Sequence, residues 1–259
     1  MREALWRYYP NATKVFSALD LAISLEFICS FPTPRIAAAL TFEEFRAFAK
    51  AHHYPRPPKL AACYARLQQP QPEAQESIIL AYQSAAVRLA RLALHQVQDK
   101  TATLQAIQEL FVQHPDYPVF SSLPGVGKFL APALLSKFGD DRQRFPTAQV
   151  LQSVAGTCPV TKSSGKYKSI TFRRACDHEF RTVVQLWAKS SLDSSVWANT
   201  YFQTVRPHCS SLSDAYRRLG NRWLEIAWRL WQDRVPYDEE RHLHQHTLRI
   251  RPATEHLPR

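Results

Sequence analysis

The stretch Leu123-Pro124-Gly125-Val126-Gly127-Lys128 places two of the chain's six glycines within three positions. It precedes an apolar run with helical spacing, so it predicts a tight turn and then a helix that begins near Lys128. Free N–H groups at a helix N-terminus can bind phosphate, and Lys128 adds positive charge there. The stretch therefore predicts a helix-hairpin-helix-like turn that holds a nucleic-acid backbone through Gly125, Gly127 and Lys128. The alternative is an interhelical turn that needs glycine only for its geometry.

The charge balance favours a polyanionic partner. The 259 residues include 33 Lys and Arg against 22 Asp and Glu, a formal net charge of +11. A basic protein that touches nucleic acid only non-specifically remains an equal alternative on composition. The cysteines are odd in number, scattered and without a C-x-x-C pair, which indicates reduced thiols and no metal site. They are Cys29, Cys63, Cys158, Cys176 and Cys209.

Proline and glycine usage predicts a mainly α fold. Eighteen prolines interrupt long alanine- and leucine-rich runs, a pattern typical of helices separated by breaks. Thr41 and Glu44 form a capping-box pattern at one helix start, and Ser211 or Ser213 is a plausible N-cap for a later helix. No apolar run is expected to span a membrane, and no signal peptide is recognised. Four regions are expected: a helical amino-terminal region 1–72, a long coiled-coil helix 73–118, a helical domain 119–238 with the glycine turn, and a polar tail 239–259.

The long helix carries apolar columns at seven-residue spacing. Such columns are typical of a coiled coil, but they also fit an ordinary helix packed on its own domain, and both readings stay open. The first would make the protein a homo-oligomer through this helix. The columns are Leu80, Val87, Leu94 and Thr101, and Ala90, Val97, Leu104 and Phe111.

A basic segment supplies the candidate chemistry. Ser163 and Ser164 precede Gly165, and a serine hydroxyl becomes a nucleophile when neighbouring groups activate it. Nearby cations stabilise the charge that develops on an attacked phosphate. On residue chemistry alone, a flexible basic loop that contacts phosphates is the favoured alternative. The cations are Lys162, Lys166, Lys168, Arg173 and Arg174.

Residues 119–238 resemble the carboxy-terminal transposase domain of the IS110/IS116/IS902 insertion-sequence family. The resemblance is carried by L-P-G-V-G-K-F-L-A-P-A-L-L-S-K-F-G-D, then R-F-P-T-A-Q-V-L-Q-S-V-A-G-T-C-P-V, then S-G-K, then F-R-R-A-C-D-H-E-F-R. The closing W-L-E-I-A-W-R-L-W-Q-D-R-V-P-Y-D is similar to the last helix of that domain. The upstream helical region is similar to the family's middle region, with less specific motifs.

This resemblance implies a DNA recombinase that forms a covalent phosphoserine link with DNA. By position the catalytic serine is Ser164, and Ser163 is the weaker candidate. The family also implies a structured guide RNA as a partner and a prokaryotic, nucleoid-associated protein in the cytoplasm. Mg²⁺ is implied only for the acidic residues of the family's amino-terminal RNase H-like domain, so no cofactor is expected in this chain.

The chain departs from the family pattern at its start. It begins inside the helical region, and Asp20, Glu26, Glu43 and Glu44 lie in helix-like segments that do not fit an RNase H-like acid set. We therefore expect a truncated transposase with doubtful autonomous activity. A non-catalytic nucleic-acid-binding module and a purely structural helical scaffold are the alternatives.

Overall fold

The computed structural model describes residues 1–164 and 167–250, with side chains outside the description at 162, 163, 167–170 and 245–250. The chain divides into two compact units, Met1–Thr103 and Leu104–Arg259. Helices dominate both units, so the mainly α fold predicted from the sequence is confirmed.

The first unit is a small helical assembly around an aromatic core. Phe16, Phe27 and Phe45 are buried together with ring centroids 5.9–6.1 Å apart. The predicted capping box is present, because Thr41 Oγ1 accepts from the Glu44 N–H and Glu44 accepts from the Thr41 N–H. The helices are α1 (Arg2–Tyr8), α2 (Ala22–Ser30), α3 (Pro34–Ala38), α4 (Phe42–Ala51), α5 (Leu60–Leu67) and the long α6 (Glu76–Gln113).

Helix α6 uses much of its predicted apolar pattern for packing inside its own chain. Ala86 and Ala90 are fully buried in the core of the first unit, and Leu94 and Val97 pack against the same core. Phe111, near the other end, is buried in the core of the second unit. Of the two readings of the heptad columns, intramolecular packing is therefore observed for these positions, and coiled-coil pairing stays a prediction.

The expectation that no apolar run could span a membrane is wrong for one helix. Among residues 1–164 and 167–250, α6 is long and apolar enough to cross a bilayer by length and composition. These two criteria alone do not separate a span from a helix whose apolar residues face protein, and Ala86 and Ala90 of α6 do face the core.

The second unit packs its helices around three buried tryptophans, Trp187, Trp223 and Trp231. Helices α10 and α12 cross closely at Gly220, where an added Cβ would lie 2.6 Å from Cγ1 of Val184. The helices after α6 are α7 (Tyr117–Ser121), α8 (Gly127–Phe138), α9 (Ala148–Val154), α10 (His178–Ser190), α11 (Val196–Val205), α12 (Leu212–Asp233) and α13 (Glu239–Ile250).

Two features of this unit were not expected from the sequence. The basic segment forms an antiparallel hairpin of β1 (Val160–Ser164) and β2 (Tyr167–Thr171) rather than a flexible loop. The region expected as a polar tail begins with α13, because the Glu239 carboxylate accepts from the Ser195 hydroxyl and the Trp197 N–H, both at 3.0 Å. These two bonds fix the start of α13 to the N-terminus of α11.

Candidate nucleic-acid interface

The first glycine of the turn is a packing residue. Gly125 has φ +75°, and a Cβ there would lie 2.6 Å from backbone atoms of Ser190 and Ser191 at the end of α10. The contact is held by two hydrogen bonds, since Trp187 Nε1 donates to the Pro124 carbonyl at 2.9 Å and Ser190 Oγ donates to the Gly125 carbonyl at 2.6 Å. Gly125 therefore faces the protein, which is the structural alternative that the sequence left open.

The second glycine is open to its surroundings. Gly127 has φ +53°, and apart from its chain neighbours and the backbone of its own helix no atom lies within 4 Å of the position that a Cβ would take. It begins α8, whose N-cap residue Val126 provides no side-chain hydrogen bond. Lys128 and Phe129 are exposed in the same first turn. The N-terminus of α8 thus combines uncapped N–H groups, an open glycine and a lysine, the requirements of a backbone phosphate site.

Ser164 ends strand β1 and is exposed. In the hairpin register it pairs with Tyr167, and Ser163 pairs with Lys168. Successive strand positions alternate between faces, so positions 163 and 164 belong to opposite faces of the hairpin. The two serine candidates are therefore not interchangeable by position.

The predicted cations are distributed along and after this hairpin. Lys162 lies in β1 and Lys168 in β2, whereas Lys166 lies outside the described residues. Arg174 is exposed after β2, and Arg173 is half-buried. The Nε atom of Arg173 is buried without a hydrogen-bond partner.

Two arginines from different helices fix the base of the hairpin. On the entering side, Arg217 of α12 donates to the Thr157 carbonyl at 2.7 Å. On the leaving side, Arg181 of α10 donates to the Arg173 carbonyl at 2.5 Å. The two guanidinium groups also lie 5.8 Å and 4.6 Å from the ring centroid of Phe172, which directly follows β2. We refer to Arg181, Arg217 and Phe172 as the hairpin clamp.

The clamp is itself supported by buried polar contacts. The Thr157 hydroxyl donates to Oδ1 of Asn221 at 2.8 Å. Arg217 also donates to Asp214, and Arg218 lies 3.3 Å from the other oxygen of that carboxylate. Burial acts to raise the pKa of Asp214, but these two guanidinium groups outweigh it and hold the pKa below its ordinary value. Asp214 is therefore charged at neutral pH and orients Arg217.

The glycine turn and the hairpin lie against opposite ends of α10. The turn contacts Ser190 in the last turn of the helix, whereas the clamp uses Arg181 in the first. At 1.5 Å per residue these two positions are about 14 Å apart along the helix axis. In the sequence the glycine turn lies upstream of the serine, and in the fold the turn and the base of the hairpin lie at opposite ends of α10.

Sequence reasoning assigned no role to the clamp. Phe172 and Arg181 are the first and last residues of the motif F-R-R-A-C-D-H-E-F-R, but the motif alone does not show that the two side chains meet. Arg217 lies within an amphipathic helix, with no local pattern that distinguishes it from the other arginines there. Among the side chains that the structure describes, which exclude positions 245–250, no three His, Cys, Asp or Glu residues are grouped so that they could hold a metal.

Comparison with known proteins shows that the chain is similar to proteins of insertion elements. The model of the transposase IS116/IS110/IS902 family matches residues 117–203, which contain the glycine turn, the hairpin and α10. A Streptomyces coelicolor protein named as the candidate transposase of the IS117 mini-circle is 30% identical over 250 residues, 93% of this chain and 60% of that protein. An uncharacterised 42 kDa protein of insertion element IS900 from Mycobacterium paratuberculosis is 30% identical over 63% of this chain and 42% of its own length.

A third relative extends the same pattern. An uncharacterised 43.6 kDa protein of IS110 from Streptomyces coelicolor is 31% identical over 144 residues, which cover 55% of this chain and 35% of that protein. The chain is thus similar to the IS116/IS110/IS902 transposase family over residues 117–203, and to three proteins of insertion elements over longer stretches. It spans three fifths of the IS117 protein and less than half of the other two.

The two glycines of the turn predict different responses to alanine. Gly125→Ala should lower the free energy of unfolding by about 2–5 kcal/mol, because it combines left-handed strain with overpacking against a helix backbone. Gly127→Ala should lower the free energy of unfolding by about 1–2 kcal/mol, because it adds only the strain of a left-handed backbone conformation. Urea denaturation of both variants measures the difference, and equal losses would contradict the assignment of Gly125 as the packing glycine.

Proposed function

We propose that the chain acts in DNA transposition and that Ser164 is the nucleophile that attacks the DNA backbone. The observation that carries the proposal is an exposed serine at the far end of a hairpin whose base is clamped by two helices. An accessible hydroxyl on an anchored element meets the positional requirement of a nucleophile. Similarity to a transposase family supports DNA as the substrate.

The reaction exchanges one phosphodiester for another. Ser164 Oγ forms a bond to phosphorus, the bond from phosphorus to one DNA oxygen breaks, and the serine proton passes to that leaving oxygen. The step consumes no co-reactant, and attack by a DNA hydroxyl on the phosphoserine reverses it. Lys162, two positions from Ser164 on the same face of the hairpin, and Lys166 would stabilise the charge that develops on the attacked phosphate. Lys168, Arg173 and Arg174 would contact the DNA backbone elsewhere along the hairpin.

A second phosphate contact is proposed at α8. Gly127 and Lys128 would hold a backbone phosphate through the uncapped N–H groups of the helix, and Gly125 would support this turn from the protein side. Because this turn lies at the other end of α10 from the clamp, the phosphate it holds is distinct from the one attacked at Ser164. A structured guide RNA and a nucleoid location in a prokaryotic cytoplasm belong to the same proposal, supported by the family and the charge of +11.

The contribution of the α8 site should appear in the salt dependence of binding. Lys128→Ala should weaken duplex binding and reduce the slope of log K against log salt by about 0.9, the value for one lost phosphate contact on duplex DNA. Fluorescence anisotropy between low and moderate salt gives both slopes. Lys59→Ala, which removes a lysine from the first unit, is the charge-matched control. An unchanged slope for Lys128→Ala would remove α8 from the interface.

The nucleophile is tested by trapping a covalent adduct on a suicide DNA substrate. Because the chain spans 60% of the IS117 protein, the assay uses the chain alone and the chain fused to the remaining portion of that relative, with guide RNA. Ser164→Ala should abolish the adduct and leave DNA affinity nearly unchanged. Ser163→Ala should retain the adduct, because position 163 belongs to the other face of the hairpin.

Two outcomes would change the assignment. Loss of the adduct in Ser163→Ala alone would move the nucleophile by one residue. Salt-sensitive DNA binding with no adduct in any form of the protein would favour the non-catalytic binding module instead.

Helix α6 supports a second proposal, self-association of the chain. Ile78, Tyr82, Leu89 and Leu92 are all exposed on α6, Leu92 by 63%. With Ala85 between them they follow a 4-3-4-3 spacing, which is that of a coiled-coil seam. This exposed seam differs from the columns that pack into the core, and a second copy of the chain is its proposed occupant.

Charged substitutions on the two sides of α6 should have different effects. Leu92→Glu should dissociate the oligomer, because each leucine buried in the seam contributes about 1.5–3 kcal/mol to association. The thermal unfolding midpoint of the monomer should stay nearly unchanged, because Leu92 is exposed there. Leu94→Glu should destabilise the fold, because Leu94 packs against the core. Sedimentation without and with detergent gives the oligomeric state. A wild-type monomer at micromolar concentration, or a chain that remains in solution only with detergent, would contradict the proposal.

A further inference from the structure

A cavity of about 380 Å³ opens beside the base of the hairpin. Phe172 of the clamp forms part of its wall. The other lining residues used below are Gln185, Ser213, Asp214, Arg217 and Arg218. The volume falls within the range of pockets that bind small organic groups. The lining combines an aromatic ring, an amide, a hydroxyl and guanidinium groups, which together suit a nucleotide.

Phe172 is half exposed. The residue is 52% exposed, with the guanidinium groups of Arg181 and Arg217 over its ring at 4.6 Å and 5.8 Å from the centroid, so a base would stack on the ring surface that these groups leave accessible. A free aromatic surface stacks on a nucleobase only when that base has left its own helical stack. The feature therefore selects an unpaired nucleotide over a base pair.

The polar groups divide between the base and the phosphate. Gln185 and Ser213 are close enough to share a hydrogen bond of 3.4 Å, and their remaining donors and acceptors can meet a base edge. Arg217 is largely buried and contacts Asp214 and Thr157. Arg218 also contacts Asp214 and donates to the His208 carbonyl, both at 3.3 Å, but its side chain is 42% exposed. Arg218 is thus the accessible cation, and the pocket retains one positive charge after Asp214 is counted.

The position of the pocket connects it to the proposed nucleophile. Ser164 lies four residues along β1 from Val160 at the hairpin base, about 13 Å at the rise of a β-strand. Four nucleotides of one DNA strand cover about the same distance at 3.4 Å each. A strand attacked at Ser164 therefore has nucleotides within reach of the pocket.

We propose that the pocket between Phe172 and Arg218 binds an unpaired nucleotide, with the base stacked on Phe172 and its phosphate on Arg218. The pocket depends on the proposed function in one respect, since the unpaired nucleotide would belong to the DNA strand that Ser164 attacks. A nucleotide of an RNA partner has the same chemistry, and the experiment separates the two sources.

The test compares duplexes that carry one bulged thymidine or one bulged abasic site. The two ligands have the same number of phosphates, so the electrostatic contribution to binding cancels. Wild-type protein should bind the thymidine bulge at least about fivefold more tightly, the low end for one base–aromatic stack. Phe172→Ala should bind both ligands equally, and Phe172→Tyr, which keeps the ring, should retain the preference.

Controls keep the result independent of folding and of catalysis. Phe129→Ala removes a similarly exposed phenylalanine from α8 and should keep the preference. Thermal unfolding shows whether Phe172→Ala is folded. If that variant does not fold, the preference measured with Phe172→Tyr still tests the role of the ring. The matching RNA duplexes carry a bulged uridine, and a preference confined to them identifies RNA as the source of the nucleotide.

Equal binding of base and abasic ligands by the wild type, in both DNA and RNA, would overturn the proposal. So would a preference that survives in folded Phe172→Ala or disappears in Phe129→Ala. The binding assay involves no bond cleavage, so a preference without a Ser164 adduct would refute only the proposed function. An adduct without a preference would refute only the nucleotide pocket.

Discussion

The close approach of the Gly125 turn to the C-terminal end of α10 is the constraint on which the second unit depends. Only a residue without a Cβ fits against the backbone of Ser190 and Ser191. The Trp187 indole closes the same contact by donating to Pro124, and that indole is also part of the buried tryptophan core. The direction of α8 and the packing of α10 are therefore determined by one contact, and the open N-terminus of α8 follows from it.

Helix α10 also connects the glycine turn with the hairpin, the two features proposed to contact nucleic acid. The last turn of α10 holds the glycine turn, its first turn provides Arg181 to the hairpin, and its middle packs on α12 at Gly220. Helix α12 in turn provides Arg217 to the other side of the hairpin base. A rigid α10–α12 pair can thus keep the turn and the hairpin at a fixed spacing, as the backbone of an extended nucleic acid requires.

The sequence predicted helices well because their signals are local. Helices α9 to α12 each begin after a residue type that favours the N-cap position, and the side chains of Thr147, Asp177, Ser195 and Ser211 all act as N-caps there. The hairpin was missed because lysines and serines have weak strand preference and the pairing depends on anchors elsewhere in the chain. The sequence could not distinguish the roles of Gly125 and Gly127 either, because these roles depend on which atoms surround each glycine in the fold. Ser164 itself was chosen by family resemblance, and no local pattern of residues would have selected it over Ser163.

A hairpin that is anchored at its base can amplify a small rotation there. With about 13 Å between base and serine, a rotation of about 5° at the clamp would move the hydroxyl by about 1 Å. Displacements of that size can change a reaction rate by about a hundredfold. The tight packing of α10 on α12 at Gly220, which limits rotation at the hairpin base, would therefore also limit how far the Ser164 hydroxyl can move.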